Sequence, residues 1–204
     1  MTYWTEEDFH VFEVEGLQPR MTALQTIVQP KFRELGEHFS LYFSSLGKGE
    51  FFSHVAKHAR RTVNPPNDSW VAFAPSKRGY KALPHFQIGL WNDRLFLTLC
   101  VIYENKDKKG IAERLEQSRV LQQLPGEFVL YGDHTKKEAS TIEELGNEGI
   151  EHLLTRLQDV KSAELVVGCM LTKDQAVQYD EQSFIAMAEE TFHLLWPVYE
   201  EMTR

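Results

Sequence analysis

The sequence predicts an α+β fold: a single domain spanning 1–204, with a largely antiparallel sheet covered by helices. Three observations predict it. Two apolar runs flank Asn92-Asp93 as the arms of a hairpin would, and long apolar stripes at helical spacing lie towards both ends of the chain. Between them stand short apolar runs separated by polar turn residues, the pattern of alternating strands and helices. No repeat at a fixed period and no linker rich in Gly, Ser or Pro divides the chain. With 42% hydrophobic and 25% charged residues, the composition is that of an ordinary globular protein, and disorder is not the default.

Thr5 followed by Glu6, Glu7 and Asp8 predicts a capped helix start with acids in its first turn. Leu24, Val28, Phe32, Leu35, Phe39, Phe43 and Leu46 then recur at helical spacing. Pro30 either kinks that helix or opens a second one, and Gly47 with Gly49 ends it. FFSHVAKHARR is compatible with a further helix, closed by the breaker TVNPPND, where Asn64 precedes two prolines. SWVAFA (69–74) reads as a strand and PSKRGYKALP (75–84) as a loop. After the hairpin come a helix over 107–123, a strand at EFVLY (127–131), and a helix from the Thr141/Glu144 capping box to about Leu157. Lys106, Lys108 and Lys109 sit at the positive end of the first of these helices and are expected to fray it. Gly146 and Gly149 weaken the second. AELVVGCML (163–171), apolar on both faces, suits a central strand. Asp180 caps a last helix with the stripe Phe184, Ala188, Phe192, Leu195, Tyr199 and Met202, bent near its end by Pro197.

The hairpin fixes a register. With Asn92-Asp93 as the turn, paired positions add to 185, so Leu90 faces Leu95, Ile88 faces Leu97 and Phe86 faces Leu99. All three apolar pairs share one side. The other side pairs Trp91 with Arg94, Gly89 with Phe96, Gln87 with Thr98 and His85 with Cys100. That mixed side reads either as a place for chemistry or as the solvated face of a half-buried sheet.

Charge supplies the main functional signal. The protein carries a formal charge of −8, yet 54–81 holds Lys57, Arg60, Arg61, Lys77, Arg78 and Lys81 against Asp68 alone. An island of +5 therefore stands on a remainder of −13, which focuses positive potential on one patch. Arg60, Arg61, Lys77, Arg78 and Lys81, with His85, form the expected anion site, the arginines offering planar donors to phosphate or carboxylate. Its expected partner is an anionic small molecule (a nucleotide or phosphorylated metabolite) or a nucleic-acid end. The bland reading is that these bases solvate a loop or pair with the chain's own acids. Neither GxxxxGK[ST] nor GxGxxG occurs, so no standard phosphate loop applies.

Rival chemistries have less behind them. His54 and His58, four apart, would share a helix face as metal ligands do, but Lys57 and Arg60 beside them repel a cation, so no metal site is expected. A small enzyme using His85 with His54 or His58 as acid or base is the alternative; a non-catalytic interaction domain is a third. Asp133-His134 reads as a turn after a strand. Cys100 and Cys169 lie in apolar runs and read as packed thiols. The acidic N-terminus lacks the plan of a secretory leader, and no apolar run reaches the ~20 residues of a membrane span, so a cytoplasmic protein without membrane contact is expected. Nothing in the residues indicates a cofactor.

HVAKHARRTVNPPNDSWVAF (54–73), KRGYKALPHFQIGLW (77–91), EGLQPRM (15–21) and DHTK (133–136) resemble the YktB-like family of small bacterial proteins. The resemblance runs over nearly the whole chain. It implies a single cytosolic α+β domain of unknown function, with no catalytic or binding residues to carry over.

Overall fold

Strands form along the β-branched and aromatic runs of the chain: β1 (Phe52–Val55), β2 (Asp68–Ala74), β3 (His85–Trp91), β4 (Arg94–Val101), β5 (Val129–Tyr131), β6 (Ser140–Thr141) and β7 (Leu165–Thr172). In the computed structural model, which describes residues 1–47 and 49–204, they make one antiparallel sheet in the order β1-β2-β3-β4-β7-β5-β6. The helices are α1 (Glu6–His10), α2 (Leu17–Ala23), α3 (Gln29–Leu46), α4 (Lys108–Ser118), α5 (Ile142–Asp159), α6 (Lys173–Ala176) and α7 (Glu181–Thr203). The fold is α+β. Its residues group into two compact units, Met1–Arg78 with Gln87–Phe96 and Met170–Glu189, and Gly79–Phe86 with Leu97–Cys169 and Glu190–Arg204.

In the first unit α3 lies on β1 and β2, with the Phe39 and Phe43 rings 5.9 and 5.4 Å from that of Phe73. The N-terminal cap forms as the sequence predicts: Thr5 donates from its backbone N–H and its hydroxyl to Asp8 at 2.7 and 2.9 Å. Asp8 is fully buried and meets Lys31 at 2.5 Å. Ahead of α3 the helix widens to a π turn over Leu24–Val28, and Pro30 then occupies the first turn of α3. The backbone stays helical through this stretch, so Pro30 sits within a helical run that has widened to a π turn just before it and does not open a separate helix.

Two expectations for this unit are corrected. FFSHVAKHARR forms no helix; it supplies β1, paired with β2 from Phe52↔Ala74 to Val55↔Val71, and then a loop. His58 adopts a left-handed φ of 49° in that loop, so His54 and His58 do not share a helix face. The edge strand wins because its residues extend the sheet beside β2 under the rings of α3.

Around the hairpin, Phe86, Ile88, Leu90, Leu95, Leu97 and Leu99 are all fully buried. A Cβ on Gly89 would fall 2.1 Å from Cζ of Phe96, so the ring lies across the glycine, as the 185 register requires. The other side is not solvated: Gln87 and Thr98 are buried, and His85 and Cys100 wholly so. The sheet is covered on both sides here, which a pattern of mixed polarity cannot reveal. Burial pushes the Cys100 thiol up to about 12 and that of Cys169 to about 11, so both are protonated packing groups.

In the second unit α4 packs on α5, and α5 on β5 and β6. The C-terminal half of α7 lays Phe192, Trp196 and Tyr199 over Phe86, with ring centres 5.5, 6.0 and 5.1 Å away. The predicted 107–123 helix breaks at Arg119 (φ 54°) into α4 and a 3-10 turn, Val120–Gln123. Lys108 does not fray α4. Its ammonium donates to the carbonyls of Val160, Lys161 and Ala163 at 3.1, 2.6 and 2.7 Å, clamping the segment that follows α5. Thr141 and Glu144 cap α5 reciprocally at 2.9 and 3.1 Å, and Gly146 (φ 56°) kinks it.

Candidate functional site

The pairing of β5 with β7 builds the site. Val129 stands opposite Gly168 and Tyr131 opposite Val166, so the same register carried two residues onward sets Asp133 against Glu164. Asp133 and His134 follow the end of β5, while Glu164 precedes the start of β7. The Lys108 clamp on residues 160–163 holds the approach to Glu164 in place. Burial lowers the Lys108 pKa, and the neighbouring Glu164 charge offsets part of that.

Glu164 has a side chain only 4% exposed. One of its oxygens accepts the backbone N–H of His134 at 2.9 Å and meets His134 Nδ1 at 2.6 Å; the other accepts the Tyr103 N–H at 3.3 Å. Burial works to raise the Glu164 pKa, but the hydrogen bonds and charge of His134, with the Tyr103 N–H, hold it below the usual value. The carboxyl is therefore ionised, and Nδ1 is the nitrogen that donates to it. Asp133 Oδ1 accepts from the Thr135 N–H and hydroxyl at 3.0 and 2.6 Å, so DHTK is indeed a turn. These bonds and the charges of Lys136 and His134 overcome burial and lower the Asp133 pKa. A cavity of about 450 Å³ opens here, its wall including His134, Glu164, Asp133, Lys136, Glu138 and Arg156.

Asp133, His134 and Glu164 also bring ligand-type atoms within 4.8 Å of one another. An ion held by both His134 Nδ1 and Glu164 would have to break their 2.6 Å hydrogen bond. The arrangement is that of a carboxylate fixing one tautomer of an imidazole.

The residues singled out from sequence are distributed differently. Arg60, Arg61, Lys77 and Arg78 belong to the first unit and are exposed; among the described residues none pairs with a carboxylate. Lys77 Nζ lies 5.0 Å from the centre of the Phe52 ring. Lys81 and His85 belong to the second unit, where Lys81 meets Glu104 at 3.5 Å. His85 is wholly buried, its Nδ1 2.8 Å from the Leu83 carbonyl and its ring against Tyr80. His54 donates from Nε2 to the Ser76 carbonyl at 2.8 Å. His58 meets the Ser69 hydroxyl at 3.1 Å, and burial, then the Arg61 charge, lowers its pKa to about 4. It is neutral at pH 7. Sequence reasoning took Asp133-His134 for a turn and stopped there; the signal that pointed further was Glu164, an acid at the head of an otherwise apolar strand.

A family model described as "Domain of unknown function (DUF1054)" matches residues 4–199. The chain belongs to this family. UPF0637 proteins share its length: that of Lysinibacillus sphaericus is 52% identical over 96% of this chain and 93% of its own. The Staphylococcus haemolyticus protein is 46% identical over 98% of this chain and all of its own. This is the family, with YktB as its Bacillus member, that the sequence words resemble. Among solved structures, a conserved hypothetical protein from Pyrococcus furiosus aligns over 87% of this chain and 95% of its own, with a TM-score of 0.41 and 12% identity. No helix among the described residues is long and apolar enough to cross a membrane.

Proposed function

We propose that this DUF1054 chain is a cytosolic protein that binds a small anionic molecule in the cavity beside His134. The observation that carries the reading is Arg156, which lines that cavity and pairs with no carboxylate among the described residues. Two of the three acids that line the cavity are already engaged. Glu164 is taken up by His134 and Tyr103, and Asp133 by Thr135 and Lys136. An exposed guanidinium at the cavity wall suits a phosphate or carboxylate, to which it offers two parallel donors. Titration of the protein with inorganic phosphate, followed calorimetrically, tests this. Arg156→Ala weakens binding by about tenfold or more through a lost charged hydrogen bond, whereas the double variant Arg60→Ala/Arg61→Ala leaves it unchanged.

A second reading keeps the anion on the basic island, favoured by the lack of carboxylate partners for Arg60, Arg61, Lys77 and Arg78 among the described residues. On that reading the Arg60/Arg61 variant, and not Arg156→Ala, loses phosphate. A single-stranded oligonucleotide making about three phosphate contacts there shows a log-affinity against log-salt slope near −2.

A further inference from the structure

The anion reading leaves one arrangement unused: the His134–Glu164 pair. Holding a loop needs no histidine at all, since the backbone N–H groups of His134 and Tyr103 already tie the Glu164 carboxylate. The imidazole is a further, 2.6 Å partner for the same buried oxygen, on a side chain 22% exposed that lines the cavity. A neutral imidazole that donates through Nδ1 carries its lone pair on Nε2. A carboxylate behind Nδ1 then raises the basicity of Nε2 and stabilises the imidazolium that forms when Nε2 takes a proton. Base, orienting acid and anion-holding arginine thus border one cavity.

We propose that the cavity is a proton-transfer site, with His134 as the catalytic base and acid and Glu164 as its positioning residue. The inference rests on the anion reading for its substrate class: a small phosphate or carboxylate compound that also bears an exchangeable O–H or N–H. Arg156 holds the anionic group. His134 Nε2 accepts the proton from the ligand's O–H or N–H, whose electron pair stays on the ligand; Nδ1–H remains on Glu164, and the same proton returns to the ligand to close the cycle. The charged groups around His134 in this cavity are Asp133, Glu138 and Glu164 against Lys136 and Arg156, an excess of one negative charge. That excess favours the imidazolium, the form in which His134 acts as the acid.

The test uses diethylpyrocarbonate, which acylates only an unprotonated imidazole nitrogen, with modification of His134 followed by mass spectrometry across pH 5.5–9. In the wild-type protein His134 is modified along a single titration curve, and millimolar phosphate protects it. In Glu164→Gln, which keeps an acceptor but loses the charge, the midpoint falls by about one pH unit. Glu164→Asp, which keeps the charge, restores most of the shift. A His134 that does not meet Glu164 in solution would leave the midpoint in place. His134 inert throughout that pH range, or a midpoint the same in wild type and Glu164→Gln, overturns the proposal. The predicted curve and shift without phosphate protection leave it standing and defeat the anion reading alone.

Discussion

Replacing Lys108 with Met tests whether the clamp behind Glu164 is real, because the substitution keeps the length of the stem and removes only the ammonium. That ammonium donates to three carbonyls at 3.1, 2.6 and 2.7 Å. Hydrogen bonds from a charged donor contribute about 1.5–3 kcal/mol each, but the three do not count alike. Val160 is half-buried and Lys161 exposed, so water can take over their carbonyls, whereas Ala163 is fully buried. Removing the ammonium also returns the desolvation penalty of burying a charge, itself several kcal/mol per ion. The net loss is therefore about 2–3 kcal/mol, close to a single well-made charged hydrogen bond to a buried oxygen. With a urea slope of about 2–3 kcal/mol per molar, the unfolding midpoint falls by about 1 M at unchanged slope. A shift below about 0.2 M, or a rise in stability, would show that Lys108 is a tolerated burden and that something else fixes residues 160–164.

Other outcomes follow from the sheet and from the basic loop. Ile88→Ala, at a fully buried site, destabilises by about 2–5 kcal/mol in the same assay; a loss under 1 kcal/mol contradicts its place in the core. Gly89→Ala drives a methyl to 2.1 Å from Phe96 and 2.7 Å from the Ser69 carbonyl oxygen, so it costs about 1–3 kcal/mol through forced repacking, and Phe96→Leu in the same chain recovers part of it. His58 titrates at about 4 in the folded protein against an ordinary 6.5. The unfolded chain takes its proton first, so stability falls as pH drops from about 6.5 to 4, by up to about 3 kcal/mol, and levels off below. His58→Asn, compatible with the left-handed φ of 49°, flattens that window; an unchanged slope assigns the pH dependence to other groups.

Local signals in the sequence carried as far as local physics decides the outcome. The Thr5 and Thr141 caps, the Asn92-Asp93 hairpin and the final helix from Asp180 form where turn chemistry and periodicity place them. Residues 51–61 went the other way because a four-residue edge strand is specified by its neighbour β2, not by its own spacing. The solvated side of the hairpin failed for a related reason: polarity along a strand does not report what covers it, and His85, Gln87 and Thr98 are buried polar groups. The candidate site was least legible. His134 and Glu164 lie 30 residues apart and meet only through the β5–β7 register, while charge counting drew attention to exposed bases on loops. The helix dipole alone does not decide Lys108 either, because its partners are carbonyls more than fifty residues away.

Where the anion sits is the claim on which the functional account turns. Soaking crystals of the protein with tungstate, a phosphate mimic located by its anomalous scattering, answers it in one experiment. The account predicts a tungsten peak in the cavity, within hydrogen-bonding reach of Arg156 and beside His134. A peak among Arg60, Arg61, Lys77 and Arg78, with the cavity containing only water, would contradict it.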